Sequence, residues 1–165
     1  MKFTKATKSQ ARARIALIGP AKSGKTYTAL TLSLSMGKKV ALIDTERGSA
    51  SKYADKFGFD CLELVDFHPD GYIEAIHAAE AADYDILIID SLTHAWSGPR
   101  GILDIAGTGG QAFTNGWRKA SPLHQKLIDT ILNSPLHIIT TIRSKMGYMM
   151  EDGKVDKVGL KPVQR

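Results

Sequence analysis

Short runs of aliphatic residues recur along the chain, separated by longer stretches in which apolar and polar residues mix. Such runs are typical of strands that are buried on both faces of a parallel sheet, because neither face of these strands meets water. They predict strands at about 14–19, 40–43, 62–65, 86–89 and 136–142.

The stretches between these runs predict helices at 27–36, 51–57, 70–82 and 117–132. A glycine follows each of the first two, and a proline precedes the third as a start signal. Over 92–116 the pattern fades and glycines recur, which predicts a long loop. Pro122 limits where the last helix can begin, and Asp152-Gly153 predicts a β-hairpin.

The alternation of strands and helices predicts an α/β fold of three layers, with helices on both faces of a mainly parallel central sheet. The chain has 165 residues, of which 43% are hydrophobic, and this is sufficient for one core. We therefore expect a single domain over 1–165, with a basic N-terminal arm at 1–12 and a C-terminal hairpin at 146–165.

Positive charge is concentrated near the two ends of the chain. The formal net charge is +5, and lysines and arginines crowd 1–14 and 143–165. This favours a polyanionic partner, although a solvated surface explains a modest excess equally well. Neither a membrane-spanning run nor a secretory signal pattern is evident, so we expect a cytoplasmic protein without a membrane partner.

One stretch fits a phosphate-binding motif. The pattern G-x-x-x-x-G-K-[ST] is matched by Gly19, Pro20, Ala21, Lys22, Ser23, Gly24, Lys25 and Thr26. Its glycines let backbone N–H groups approach phosphate oxygens, and the start of the next helix attracts the same anion. Lys25 is expected to reach the β- and γ-phosphates, and the Thr26 hydroxyl to bind Mg²⁺. The motif predicts a site for ATP and Mg²⁺, with Tyr27 beside the nucleotide.

Carboxylates follow two of the predicted strands, at the strand ends where open α/β sheets bind ligands. Asp90 ends the run 86–89, and an aspartate in this setting accepts hydrogen bonds from the water ligands of Mg²⁺. Asp44 and Glu46 follow the run 40–43 and are expected next to the phosphate loop. We therefore predict a metal site at Thr26 and Asp90, with Asp44 near the nucleotide.

From Asp44 onward the sequence resembles RecA-type recombinases at the same spacing. The matching segments are Ile43-Asp44-Thr45-Glu46, Tyr53-Ala54, Gly58-Phe59-Asp60, Asp90-Ser91 and Thr141-Ile142-Arg143-Ser144-Lys145-Met146-Gly147. The length and the C-terminal segment are more similar to small phage-encoded RecA-like ATPases of the single-strand annealing group. The resemblance covers about 14–150. It implies a RecA-like ATPase that acts as a homo-oligomer, a ring or a filament, on single-stranded DNA in phage-type recombination or annealing.

The resemblance also implies roles for individual residues. Glu46 is implied to hold the water that attacks the γ-phosphate, whereas the simpler interpretation is an exposed carboxylate in a turn. Tyr53 is implied to stack on the adenine, or else packs on the sheet as a half-buried residue. Thr141 stands where RecA proteins carry a glutamine that senses the γ-phosphate and relays its state to DNA-binding loops. The threonine side chain is shorter and has no amide, which puts this relay in doubt. Ala50 stands where an acidic residue is frequent, so adenine selectivity is expected to be looser.

Arg143 and Lys145 lie in the segment implied to sense the nucleotide. Three roles are open for them: stabilising phosphate charge across a subunit interface, binding DNA phosphates, or lying in solvent. Further DNA contacts are expected from loops at about 95–116 and 146–154.

Two other functions are open on the same scaffold. A small-molecule or nucleotide kinase needs a lid with several arginines, but 95–116 holds only Arg100. A non-catalytic DNA-binding module would use the nucleotide only to stabilise an oligomer. Fold class alone does not choose among these functions.

Overall fold

A sheet of parallel strands forms the centre of this computed structural model, which describes residues 4–5, 11–107, 110–151 and 154–162. The strands are β1 (Arg14–Gly19), β2 (Val40–Asp44), β3 (Asp60–Glu63), β4 (Ile86–Asp90) and β5 (His137–Glu151). Their order is β1-β5-β4-β2-β3, and each neighbouring pair is parallel. Strands β1, β2 and β4 therefore end at the same edge of the sheet.

Helices cover both faces of the sheet. They are α1 (Lys25–Ser33), α2 (Pro69–Ala81), α3 (Thr93–Ser97), α4 (Ile102–Ala106) and α5 (Gly110–Asn133), with a short 3-10 helix at Ala50–Tyr53. Alternate side chains of β4 point to opposite faces: Ile86 and Ile88 pack with α1, and Leu87 and Ile89 pack with α2 and α5. No helix in the described parts of the chain is long and apolar enough to cross a membrane.

Strand β5 continues beyond the parallel sheet into a hairpin. After Arg143 it pairs antiparallel with β6 (Lys154–Pro162). The predicted three-layer α/β fold with a mainly parallel sheet and a C-terminal hairpin is thus confirmed. The Asp152-Gly153 turn lies outside the described residues.

The segment between β4 and β5 differs most from the prediction. The loop expected at 92–116 contains α3 and α4, and α5 begins at Gly110 instead of residue 117. A Cβ at Gly116 would collide with the backbone carbonyl of Ala106, so this glycine permits close packing of α5 on α4. Pro122 lies inside α5 and does not limit where the helix begins, because a helix of 24 residues tolerates one missing hydrogen bond.

The segment between β2 and β3 also differs from the prediction. The helix expected at 51–57 is only the 3-10 helix, and β3 begins and ends two residues earlier than expected. Turns after Tyr53 carry Phe57 into the core beside α1, so the burial of one aromatic ring ends the helix early.

Candidate nucleotide site

The predicted phosphate loop joins β1 to α1 at the edge where the strands end. Gly24 directly precedes α1 with a φ of 83°, and Lys22 has a φ of 62°, so both lie in the left-handed region. The first N–H groups of α1 have no partner within the helix and can therefore bind an anion. A Cβ at Gly19 would lie 2.7 Å from Ser23 Oγ, so a larger residue there would require the Ser23 side chain to move.

A cavity of about 380 Å³ lies against this loop. Its lining residues are Ala21, Lys22, Ser23, Gly24, Lys25, Thr26, Glu46, Tyr53, Asp90 and Arg143. Gly19 and Pro20 line an adjoining cavity of about 300 Å³, to which Lys25 also contributes. Both volumes are typical of small-molecule sites. The fold thus brings together predicted site residues from the phosphate loop, the turn after β2, and strands β4 and β5.

Thr26 and Asp90, the two residues of the predicted metal site, contact each other in the cavity. Thr26 Oγ1 donates to Asp90 Oδ2 over 2.5 Å, and Thr141 Oγ1 donates to Asp90 Oδ1. Asp90 is only 2% exposed, and its burial raises the pKa of the carboxyl group despite these hydrogen bonds. Glu46 and Asp44 raise this pKa further because they carry like charge.

This oxygen donor set fits Mg²⁺. Carboxylate and hydroxyl oxygens are ligands that the ion accepts, and a cation beside Asp90 would favour its charged form. In addition, Ser91 Oγ is buried and has no hydrogen-bond partner within the described chain. The residues therefore suit a hydrated cation, and their role as its ligands stays a prediction.

Thr141 is fully buried at the centre of the sheet. Its hydroxyl bonds to the Asp90 carboxylate, and it is not among the residues that line the cavity. The observed contact therefore positions Asp90, and a direct contact of Thr141 with a nucleotide stays a prediction. Lys25 Nζ donates to the carbonyl of Pro20 over 2.7 Å, within the phosphate loop itself.

Asp44 holds the turn that carries Glu46. Its side chain is completely buried, with Oδ1 accepting from the N–H of Glu46 over 2.6 Å and Oδ2 accepting from the N–H of Ala50 over 3.0 Å. Both carboxylate oxygens are therefore engaged by the backbone of this turn. Asp44 does not line the 380 Å³ cavity, and its predicted contact with the nucleotide stays untested.

Sequence reasoning missed two residues beneath this turn. Thr45 Oγ1 accepts from the N–H of Ser91 over 2.8 Å and lies 2.7 Å from Nδ1 of His94. Burial, and secondarily Arg143, lowers the pKa of His94, and its ring stacks on Phe67 with centroids 4.8 Å apart. Thr45 lies in a segment that resembles RecA, whereas no pattern in the sequence singles out His94.

Arg143 forms an ion pair with Glu46 inside the cavity. Its Nε and Nη2 lie 2.9 Å and 2.7 Å from Glu46 Oε1. The backbone N–H of Arg143 donates to Thr93 Oγ1 over 2.8 Å, which fixes the strand at this point. Lys145, two positions further along β5, is exposed. The structure therefore places Arg143 at the cavity and leaves Lys145 exposed, although the sequence analysis gave both residues the same three possible roles.

Aromatic rings flank the cavity on the side of α1. Tyr53 lines it, and Tyr27, which is 46% exposed, meets the rings of Tyr53 and Phe57 edge to face at centroid distances of 6.0 Å and 5.4 Å. Ala50 is fully buried and presents no polar group here. This surface suits stacking of a base, and the side chain of Ala50 offers no hydrogen bond to that base.

Comparisons with known proteins give one matching family and two relatives that share part of the sequence. Residues 11–165 match the family described as AAA domain. The chain is 31% identical over 166 residues to Protein RecA of Mycobacterium leprae (strain TN), covering 88% of this chain and 23% of that protein. It is 35% identical over 85 residues to Protein RecA of Ruminococcus albus (strain ATCC 27210 / DSM 20455 / JCM 14654 / NCDO 2250 / 7), covering 47% of this chain and 21% of that protein. The chain thus spans less than a quarter of either relative.

Proposed function

The chain belongs to the AAA domain family and has a RecA-like phosphate-loop fold, and we propose that it hydrolyses ATP with Mg²⁺ while acting on single-stranded DNA. The observation that carries the ATPase proposal is the meeting of Lys25, Thr26 and Glu46 in one cavity. These residues supply a phosphate ligand, a metal ligand and a carboxylate for water, which are the parts that phosphoryl transfer to water needs.

We assign the binding steps to the phosphate loop and the end of β4. Backbone N–H groups of the loop and Lys25 bind the β- and γ-phosphates, which requires Lys25 Nζ to exchange its bond to the Pro20 carbonyl for phosphate oxygens. Thr26 and Asp90 hold Mg²⁺, which neutralises phosphate charge when it is bound. Tyr27 and Tyr53 provide the surface for the base.

Glu46 is the residue to which we assign the attacking water. Its carboxylate accepts a hydrogen bond from that water and orients it toward the γ-phosphate. Two features support this role: Glu46 reaches the cavity, and its backbone is held by the fully buried Asp44. The side chain is also 24% exposed, so water has access to it.

The same proposal has three further parts: the chain binds single-stranded DNA, it associates with itself, and it acts in phage-type recombination or annealing. Their support is the resemblance to RecA-type recombinases, the net charge of +5 and the concentration of basic residues near the chain ends. Lys145, exposed on β5 where the hairpin begins, is our candidate for a phosphate contact with DNA.

The proposal is tested by measuring ADP and phosphate release without any added acceptor, with and without single-stranded DNA. We expect turnover in the wild type, stimulation by DNA, and a loss of at least about 100-fold in Lys25→Ala. The matched control is Lys126→Ala, because Lys126 pairs with Asp70 between α5 and α2, outside the cavity. This control should retain wild-type turnover.

Two outcomes contradict the ATPase proposal when nucleotide binding and DNA binding are measured together with turnover. ADP formation only after a phosphate acceptor is added would identify a kinase. Nucleotide binding without any turnover, combined with normal DNA binding, would identify a non-catalytic module. Turnover that is indifferent to DNA, together with no DNA binding, would keep the ATPase and contradict the DNA partner.

A further inference from the structure

Strand β5 presents two side chains to the two carboxylates of the cavity. Thr141 donates to Asp90, and Arg143, two residues further along the same face of the strand, pairs with Glu46. Strand β5 therefore contacts both Asp90, the proposed ligand of Mg²⁺, and Glu46, the carboxylate proposed to hold the attacking water.

The geometry of the ion pair is one-sided. Both Nε and Nη2 of Arg143 contact the same atom, Glu46 Oε1, at 2.9 Å and 2.7 Å. Oε2 is then the oxygen that remains for a water molecule. Because a glutamate side chain has three rotatable bonds, removing this contact would allow the carboxylate to sample several orientations.

Arg143 is itself held in place. It lies opposite Gly19 in the pairing of β5 with β1, at the first residue of the phosphate loop. Its N–H donates to Thr93 Oγ1 at the start of α3. The guanidinium is thus anchored beside the nucleotide cavity by the sheet and by a helix.

We propose that Arg143 is the positioning residue for Glu46 within the same chain, where it orients the carboxylate and balances its charge beside the triphosphate. This inference rests on the proposed ATPase function and identifies how its water-binding carboxylate is held. An unpaired carboxylate next to phosphate oxygens repels them, so the pairing also aids nucleotide binding. Contacts of Arg143 with phosphate across a subunit interface, or with DNA, are the competing roles.

The first test measures the affinity for ATP by calorimetry in four proteins: wild type, Arg143→Ala, Glu46→Gln and the double variant. We expect Arg143→Ala to weaken ATP binding about fivefold to tenfold, because Glu46 is left unpaired. Adding Glu46→Gln should restore the affinity to within about threefold of the wild type, because the repelling charge is gone. Lys126→Ala serves as the control, since it also breaks an ion pair but leaves the cavity intact.

The decisive result is the double variant. If it binds ATP as weakly as Arg143→Ala, then Arg143 contacts the phosphates directly and the positioning role is wrong. A structural defect would likewise fail to be repaired by Glu46→Gln, and thermal unfolding of all four proteins would reveal it.

The second test measures turnover in the same proteins. Arg143→Ala should lower kcat about tenfold, and the double variant should be no slower than Glu46→Gln alone, because Arg143 acts through Glu46. Arg143→Lys keeps the charge but not the two-nitrogen contact, so it should restore ATP affinity and leave kcat low.

Further outcomes separate this inference from the proposed function. A wild type without turnover contradicts the ATPase proposal, while the affinity measurements still test the ion pair. If turnover returns when Arg143→Ala is mixed with Lys25→Ala, then Arg143 acts across an interface. If Arg143→Ala affects only DNA affinity, it is a DNA contact. Either of these last two results overturns the positioning role.

Discussion

Asp90 and Glu46 line the same cavity, but the fold holds them in different ways. Asp90 is 2% exposed, ends a strand in which every residue is buried, and accepts from the hydroxyls of Thr26 and Thr141. Glu46 lies in a turn, has a side chain that is 24% exposed, and is held by one arginine.

This difference suits the two chemical roles proposed for them. A metal ligand needs one fixed position, and a buried strand provides it. Burial also disfavours the charged form of the carboxylate, because the group loses its contact with water. A carboxylate that orients water needs access to solvent and a contact that leaves one oxygen available. The four predictions that follow test whether this distinction between a buried and an accessible carboxylate is correct.

The largest effect is expected for Glu46→Gln. The amide keeps the shape of the side chain but cannot act as a base, so kcat should fall about 100-fold to 10,000-fold with ATP affinity within about threefold of the wild type. Steady-state turnover and calorimetry provide the two measurements. Glu63→Gln, on the exposed edge strand β3, is the control and should be unaffected. A decrease of less than about tenfold would assign the water to another group.

The second prediction concerns Asp44, which holds the turn that carries Glu46. Asp44→Asn replaces one buried acceptor of a backbone N–H by an amide NH₂ group, so it should destabilise the protein by about 1–3 kcal/mol. It should also lower kcat, since the turn that carries Glu46 keeps only one of the two bonds from its backbone to residue 44. Urea unfolding and turnover at a temperature well below the transition separate the two effects. Unchanged turnover in folded Asp44→Asn would show that Arg143 alone is sufficient to orient Glu46.

Asp90→Asn is expected to have the opposite effect on stability. Burial raises the pKa of Asp90 above its ordinary value of 3.8, so the folded protein binds this proton more tightly than the unfolded chain. The contribution of protonated Asp90 to the stability of the folded protein is complete below pH 3.8, and it is lost as the pH rises through the pKa of Asp90 in the folded protein. Without nucleotide, we therefore expect Asp90→Asn to be more stable than the wild type at pH 7 by about 1 kcal/mol.

Thermal unfolding of both proteins between pH 4 and pH 7 checks this prediction, with the difference growing as the pH rises. A wild type that is the more stable protein at pH 7 would mean that the hydroxyls of Thr26 and Thr141 more than offset the burial of charge. In that case Asp90 and Glu46 would not differ in the way described above.

The smallest effect is expected at His94, beneath the turn of Glu46. Burial and Arg143 lower the pKa of His94, so the unfolded chain binds its proton more tightly than the folded protein does. The contribution of neutral His94 to stability is therefore complete above pH 6.5, the ordinary pKa of histidine, and decreases as the pH falls below it. Besides Arg143, the charged groups that act on this ring are Glu46 and Asp90. His94→Asn should reduce the loss of stability between pH 7.5 and pH 5.5 by less than about 1 kcal/mol in urea unfolding.

Part of this site was predictable from local patterns. The phosphate loop, the strand before it and the helix after it follow from neighbouring residues, since glycine conformations and strand burial are local properties. Asp90 follows from its position at the end of an aliphatic run. The glycines of 92–116 misled the prediction, because a glycine needed for close packing, such as Gly116, looks the same in sequence as a glycine of a loop.

The α/β class, the phosphate loop and the strand that carries Asp90 follow from residues that are close together in the chain. The position of β5 between β1 and β4 does not, and it brings Arg143 to Glu46 across 97 positions and Thr141 to Asp90 across 51. The tertiary structure also decided that Asp44 supports the turn of Glu46 instead of lining the cavity. These contacts depend on the order of strands in the sheet, which arises from burying both faces of the sheet at once, and no local pattern encodes it.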